Sequence, residues 1–353
     1  MDTQILTYKI KHNRNFNEEL QKAKLIANFV IENKDTVISS KHVSQFKLKS
    51  AISCQIIRKY KKRKIKEAKS VKLTIPNQHI KVDKENKIIT ITCINLALNY
   101  KYLRTDFNKI NQIEIDNTYV YISMDINCQE QLQTNDFLGI DLNVKSHCAV
   151  VAIPKNKKVI KLGKSAQHIH NKYSKLRRQM QKAKQYSRLK LIKKKERNKI
   201  KDLNHKISRK ITELATENNC HIRLENLKGI RKTTKQNKSF RYSINSWNFY
   251  SLARMIEYKT KMCGIQVEYV NPKYTSQTCS RCGKLGKRKD KVFHCTSCEY
   301  LSHADVNAAF NIAYNINKTQ LDIEQDISKG NTDIPNRTCP IGAMNLRTLN
   351  ALA

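Results

Sequence analysis

Four cysteines in the C-terminal half, Cys279-x2-Cys282-x12-Cys295-x2-Cys298, have the spacing of a metal clip. Each Cys-x-x-Cys turn aims two sulfurs at one point. Two such turns complete a tetrahedron of thiolates, the donor set of structural zinc. With four protein ligands the coordination is closed, so one Zn²⁺ here is expected to hold structure rather than to activate water. A ribbon over 278–299 is too small to bury a core, and the metal would supply folding free energy on the order of 10 kcal/mol. Neither pair opens a helix after a βαβ pattern, which sets thioredoxin-like redox chemistry aside. His294 is an alternative ligand that four thiolates do not need. Arg281, Lys284, Lys287, Arg288, Lys289 and Lys291 coat the ribbon, which suits a phosphate-facing knuckle.

Three acids stand in unusual company for a chain of net charge +39. Asp141 lies among Leu138, Ile140 and Leu142. Glu225 ends the apolar run IRLE. Asp305 falls seven residues after Cys298, in the first turn of the helix predicted from SHADVNAAF. Strand, strand and helix start can bring three carboxylates to one end of a sheet. Carboxylate oxygens suit Mg²⁺ or Mn²⁺ rather than zinc. Two such ions, about 4 Å apart, activate a water and stabilise the leaving oxygen in phosphodiester hydrolysis. Each acid also has a plainer reading. Asp141 could close a β-turn before Asn143, Glu225 could pair with Arg223 or Lys228, and Asp305 could be the capping-box acid of Ser302-x-x-Asp305. The order Asp, Glu, Asp on strand, strand and helix favours the nuclease chemistry over three unrelated local roles.

The elements that must position these groups follow from periodicity. TQILTYKIK (3–11) reads as a strand. From Asn17 to about Lys69 the pattern is helical, with Leu20, Ala23, Ile26 and Val30 on one face and Leu48, Ile52, Ile56 and Tyr60 on another. The second helix runs into the basic block 58–66. Strands follow from Val71 to about Ile126, and NCQEQLQTND (127–136) reads as a linker. FLGIDLNVKSHCAVVAI (137–153) is expected to be one buried strand, with KVIKLG (158–163) as its hairpin mate. One or two long helices fill 166–218, a short strand 220–226, an amphipathic helix 246–264 stopped by Gly264, and a buried strand 265–270. The last helix is predicted over 302–318 with Ser302 as its N-cap. RKTTKQNKSFRYS (231–243) reads as a basic loop, and 319–353 as a tail with little order.

Charge narrows the partners. The chain has 353 residues, enough for two or three domains, and 68 Lys+Arg oppose 29 Asp+Glu. Between Asn171 and Lys210 there are 17 Lys/Arg and two acids, Glu196 and Asp202. A solvated helix face normally mixes charges for i,i+4 pairing, so a one-sided excess points to a polyanion such as nucleic acid. A membrane partner is not expected, since no apolar run reaches the ~20 residues of a spanning helix, and the start has no apolar signal region. Eleven cysteines, seven of them scattered, argue against a disulfide framework and for a reducing, cytoplasmic compartment. The scattered seven are read as small buried hydrophobes.

GIDLNVKSHCAVVA, IRLENLKGI, YTSQTCSRCG and HADVNAAFNIA resemble blocks of the TnpB family, the OrfB-type "transposases" of insertion sequences, similar to compact type V CRISPR nucleases. The resemblance is specific from about Phe137 to Lys318. It implies an α+β multidomain chain: a RuvC-like nuclease of RNase H fold over 137–277 and 300–318, with the zinc ribbon inserted at 278–299. Upstream it implies a β-barrel-like wedge over 1–11 and 71–126 and a helical recognition region over 12–70. Carried over by position, Asp141, Glu225 and Asp305 would be catalytic and hold Mg²⁺ or Mn²⁺, and Cys279, Cys282, Cys295 and Cys298 would hold zinc. The implied activity is RNA-guided, Mg²⁺-dependent cleavage of double-stranded DNA by a monomer carrying a noncoding guide RNA, at a prokaryotic, nucleoid-associated location. Asn143 departs from a frequent Gly and is not expected to touch the acids. The rivals are a nuclease-inactive RNA-guided DNA-binding regulator, a strand-transferring transposase, whose acids commonly run Asp, Asp, Glu, and a zinc-ribbon binding protein without catalysis.

Overall fold

A computed structural model describes residues 2–37, 39–62, 64–101, 107–143, 146–227 and 249–315. The basic loop 231–243, Lys228 and the tail 319–353 lie outside the described residues. The chain divides into two compact units, Met1–Cys128 and Gln129–Ala353.

The first unit is built on an antiparallel sheet in the order β1-β7-β6-β2, from β1 (Thr3–Lys11), β2 (Leu73–Pro76), β6 (Phe107–Ile115) and β7 (Tyr119–Asn127). Alternation decides its faces. Val120, Ile122, Met124 and Ile126 of β7 are buried, while Tyr119, Tyr121 and Ser123 between them are half-exposed. A second sheet joins β3 (Ile80–Asp83), β4 (Ile88–Ile91) and β5 (Leu96–Asn99). Helices α1 (Asn17–Glu32) and α2 (Ser50–Lys61) bury the predicted stripes, Ala23, Ile26 and Val30 in one and Ile52, Ile56 and Tyr60 in the other, in the same core as the sheets. Helix α2 stops at Lys61, inside the basic block. Lys59 and Lys72 both bind Glu114, so Lys59 is committed within the unit.

The second unit is built on a five-stranded sheet, β10-β9-β8-β11-β12. Its strands are β8 (Phe137–Leu142), β9 (Ala149–Ile153), β10 (Lys158–Leu162), β11 (His221–Glu225) and β12 (Val267–Val270). Strands β8, β9 and β10 form an antiparallel meander, while β11 and β12 run parallel to β8. The run 137–153 is therefore two strands rather than one. Strand β8 ends at Leu142, and Asn143 N donates to Cys148 O (3.0 Å) as the chain turns back. KVIKLG pairs with the second of the two. Strand β12 closes the sheet's edge, so only its Val270 is buried, less than the sequence suggested. The linker expected over 127–136 is tied to this unit through Gln129 N to Met262 O and Leu132 N to Gly264 O. Gly264 ends its helix with φ +67°, as its place in the pattern predicted.

Between β10 and β11 run α3 (Ser165–Lys182) and α4 (Tyr186–Glu217). Glu196, one of the two acids in this basic stretch, joins them. Its carboxylate takes His170 Nδ1 at 3.0 Å and the Arg177 guanidinium. Burial alone would raise the Glu196 carboxyl, but His170 and Arg177 outweigh it and hold it below the usual range. The remaining helices are α5 (Phe249–Met262) and α6 (Ala304–Tyr314), and a small antiparallel sheet β13-β14-β15 comprises β13 (Lys287–Lys289), β14 (Val292–His294) and β15 (Leu301–His303). Of the six scattered cysteines among the described residues, Cys148 and Cys220 are buried. Cys54, Cys93, Cys128 and Cys263 are half-exposed, and Cys339 lies outside the described residues.

Helix α6 lies directly on β8, and Gly139 allows it. A Cβ there would run into Ala309 O and Ala313 N, both helix backbone that cannot give way by changing rotamer. Arg223 ties down the far end of the helix, donating from Nη1 to Ala313 O (2.6 Å) and from Nε to Glu268 (2.8 Å). We expect Gly139→Ala to lower stability by at least ~1–3 kcal/mol, the usual cost of overpacking, in a chemical denaturation series. An unchanged midpoint would show that α6 can lift off β8.

Candidate functional site

The ribbon brings its four cysteine sulfurs within 4.8 Å of one another. Cys279 and Cys298 Sγ lie 3.6 Å apart, and Cys282 and Cys295 Sγ 3.5 Å apart. Burial pushes the Cys279 thiol up. Burial acts on Cys295 as well, but the backbone N–H groups of Ser297 and Cys298 outweigh it and bring the thiol down to about 7. Four converging sulfurs of this kind fit a tetrahedral Zn²⁺. His294 is exposed on β14 and has no place in the set. Among the described residues, these thiols are the one group of His, Cys, Asp and Glu ligands close enough to share an ion.

The three carboxylates gather at one end of the larger sheet. Asp141 is 8% exposed in β8 and sits opposite Val150 in register. Leu224 pairs with Ile140, so Glu225 and Asp141 follow on neighbouring strands. Asp305 is 4% exposed in the first turn of α6. Burial first, then the negative charges of Glu225 and Asp305, hold the Asp141 carboxyl well above the usual range. Burial also raises Glu225, against the opposing pull of the Thr275 hydroxyl and the Arg288 charge. The acids are electrostatic neighbours, but their oxygens are not gathered as closely as the thiols.

Among the described residues the plainer roles of Asp141 and Asp305 do not hold, nor does pairing of Glu225 with Arg223, while Lys228 lies outside them. Asp141 lies within the β8 ladder rather than in a turn. Arg223 is engaged by Glu268 and Ala313 O rather than by Glu225. Ser302 belongs to β15, opposite Phe293, and the N-cap of α6 is His303, whose Nδ1 accepts from Asp305 N (3.3 Å). The Asp305 carboxylate is thereby free of capping. It is held instead by Lys291 Nζ at 2.6 and 2.8 Å, with Arg288 Nη2 at 4.0 Å.

Several partners were not visible in the sequence. Lys291 and Arg288, expected to coat the outside of the ribbon, face the acids. Asn143, expected not to touch the acids, donates from Nδ2 to Asp141 Oδ2 (2.7 Å). Thr275 Oγ1 donates to Glu225 Oε1. Only a position two residues from Asp141, and one inside the YTSQTCSRCG block, hinted at the last two.

A family model described as "Probable transposase" matches residues 111–231, and one described as "Cas12f1-like, TNB domain" matches 249–312. A TnpB-like protein of Methanocaldococcus jannaschii is 39% identical over 152 residues, 41% of this chain and 55% of that protein. The CRISPR-associated endodeoxyribonuclease Cas12f2 of a Micrarchaeota archaeon is 41% identical over 129 residues, 33% of this chain and 23% of that protein. The chain thus spans about half the length of the first of these curated relatives and about a quarter of the second. Among solved structures, Cas12f1 in a Cas12f1–sgRNA–target DNA complex superposes with a TM-score of 0.61 at 17% identity, covering 84% of this chain and 82% of that one, a likeness of fold. Among the described residues, no helix is long and apolar enough to cross a membrane.

Proposed function

We propose, for a chain that belongs to the TnpB family, that it is an RNA-guided DNA endonuclease whose catalytic groups are Asp141, Glu225 and Asp305. The observation that carries this reading is the convergence of three acids at one end of one sheet, Asp141 and Asp305 buried and Glu225 half-buried, with Asp141 raised first by burial and then by the charges of the other two. Buried acids that repel one another fit a site that takes divalent cations, and hard oxygen donors select Mg²⁺ or Mn²⁺. When bound, such ions supply an activated water and stabilise the leaving oxygen of a phosphodiester. Asp141, Glu225 and Asp305 would hold them. Lys291 and Arg288 keep positive charge beside the acids, where a scissile phosphate would have to sit.

The five-stranded order, antiparallel on one side of β8 and parallel on the other, is consistent with an RNase H-like nuclease and supports reading a RuvC-like domain over 137–277 and 300–318 with the ribbon at 278–299 as an insertion. The first unit, strands with two helices between them, is consistent with a wedge over 1–11 and 71–126 and a recognition region over 12–70. A positive helical hairpin of α3 and α4 suits the backbone of a guide–target heteroduplex, which guided nucleases read by shape rather than by sequence. The order Asp, Glu, Asp favours hydrolysis over strand transfer, whose acids commonly run Asp, Asp, Glu. A cytoplasmic monomer bound to its RNA is the assembly this reading implies.

The test is to purify the protein from cells carrying its flanking DNA and to sequence the RNA that comes with it. One structured noncoding RNA is expected, and its affinity should fall steeply with salt because many phosphates are neutralised at once. Protein free of nucleic acid, or carrying only random fragments, would count against a dedicated guide.

A further inference from the structure

The motif YTSQTCSRCG holds the first zinc knuckle, but its first half has no assigned role. Thr275 is 6% exposed and stands between β12 and the knuckle. Its hydroxyl lies within hydrogen-bonding distance of two acceptors, Glu225 Oε1 and Pro272 O (3.1 Å). A hydroxyl has one hydrogen, and the carboxylate is the stronger acceptor because the bond is charge-assisted. The backbone of Thr275 is fixed as well. Asn311 of α6, 1% exposed, donates from Nδ2 to Thr275 O (2.7 Å) and to Thr278 O (2.6 Å). One turn earlier on the same helix face, Asn307, 0% exposed, donates to Thr278 O (2.7 Å) and accepts from Ser280 N (2.9 Å).

On the nuclease reading above, we propose that Thr275 is the positioning residue of Glu225, and that Asn311 sets Thr275 from the helix that carries Asp305. The bonded path runs from the Glu225 carboxylate through the Thr275 hydroxyl and carbonyl to Asn311, and along α6 to Asp305. Glu225 stands at a strand end and Asp305 on a helix, and no shared backbone ladder fixes their separation. Thr275 supplies that link. By taking Oε1 it orients the carboxylate and leaves Oε2 as the oxygen that Glu225 would offer a divalent cation. Partners of metal-ligating carboxylates act this way in general, and removing one typically costs roughly 10- to 100-fold in metal affinity or activity.

The test compares Thr275→Val, which keeps the shape and loses the hydroxyl, with Thr275→Ser, which keeps the hydroxyl. Full-length protein carrying its RNA is used for both. Mn²⁺ binding is read by electron paramagnetic resonance without DNA, single-turnover cleavage at saturating target, and target affinity by filter binding. The Val variant should bind Mn²⁺ and cleave roughly 10- to 100-fold more weakly, with target affinity unchanged, and Ser should restore both. If Val lowers the melting temperature, Thr275→Ala, which places no new methyl against the carboxylate, gives the same comparison against Ser. Wild-type Mn²⁺ affinity in the hydroxyl-free variants, or a Ser variant as weak as Val, would overturn the role of the hydroxyl. Failure of the wild-type chain to cleave any target would instead strike the nuclease reading, and the Mn²⁺ comparison would still decide the positioning.

Discussion

Asp141→Ala should abolish DNA cleavage while RNA and target binding stay close to wild type. One carboxylate is lost from a chain with 68 Lys+Arg, so the attraction for phosphate is not weakened. Removing a buried negative charge beside Glu225 and Asp305 makes the site less repulsive to an incoming strand. Glu225→Ala and Asp305→Ala should fail to the same degree, because groups that act as one unit are not additive. The raised carboxyls add a pH dependence. An acid whose carboxyl lies above the usual range takes up a proton at a higher pH than an ordinary carboxylate, so protons compete with the cation at Asp141 and Glu225 earlier as pH falls. Cleavage should therefore decline on acidification and be partly restored by more Mg²⁺. Plasmid cleavage checks all of this, and full activity in any one alanine variant would remove that residue from the site.

Loss of the zinc clip should have the next largest effect. Cys279→Ser or Cys298→Ser removes one of four thiolates from a ribbon whose fold depends on the metal, with on the order of 10 kcal/mol at stake. The damage should spread, because the ribbon hydrogen-bonds the start of α6. Ala304 N donates to Lys291 O (2.8 Å), and Lys291 Nζ holds Asp305. We expect one zinc per chain by metal analysis of the freshly purified protein. In the variants we expect little zinc, rapid proteolysis within 278–299 and lower solubility. Zinc-free wild-type protein, or variants as protease-resistant as the parent, would mean that the clip does something else. A chelator should stop cleavage quickly by stripping loosely held Mg²⁺, and release thiolate-bound zinc more slowly.

The groups most legible in the sequence were those whose chemistry needs a particular residue type. Cysteine spacing reports directly on a turn that points two sulfurs one way, and the four sulfurs do converge. Acids in apolar runs stand out in a basic chain, and all three lie at the same end of the sheet. Groups defined by tertiary contact were hidden. Lys291 looks like any ribbon lysine until β13 and β14 fold back toward Asp305. Asn143 reaches Asp141 only because β8 turns into β9 there. The same turn defeated the reading of 137–153 as a single strand, since two buried apolar strands joined by a short connection leave no break in hydrophobicity. Ser302 had the right chemistry for an N-cap, but pairing with Phe293 in β15 took it first, and His303 capped the helix instead. Gly139 could be seen in the sequence, though not the helix pressed against it.

The most direct test of the central claim is plasmid cleavage by the wild-type protein with the RNA that copurifies with it, in Mg²⁺, on a target matching that RNA and on a scrambled one. Cleavage of the matching plasmid alone is expected, lost on addition of EDTA and absent in Asp141→Ala. Intact matching plasmid across a panel of flanking sequences, with the RNA bound, or cleavage that survives EDTA, would contradict the claim.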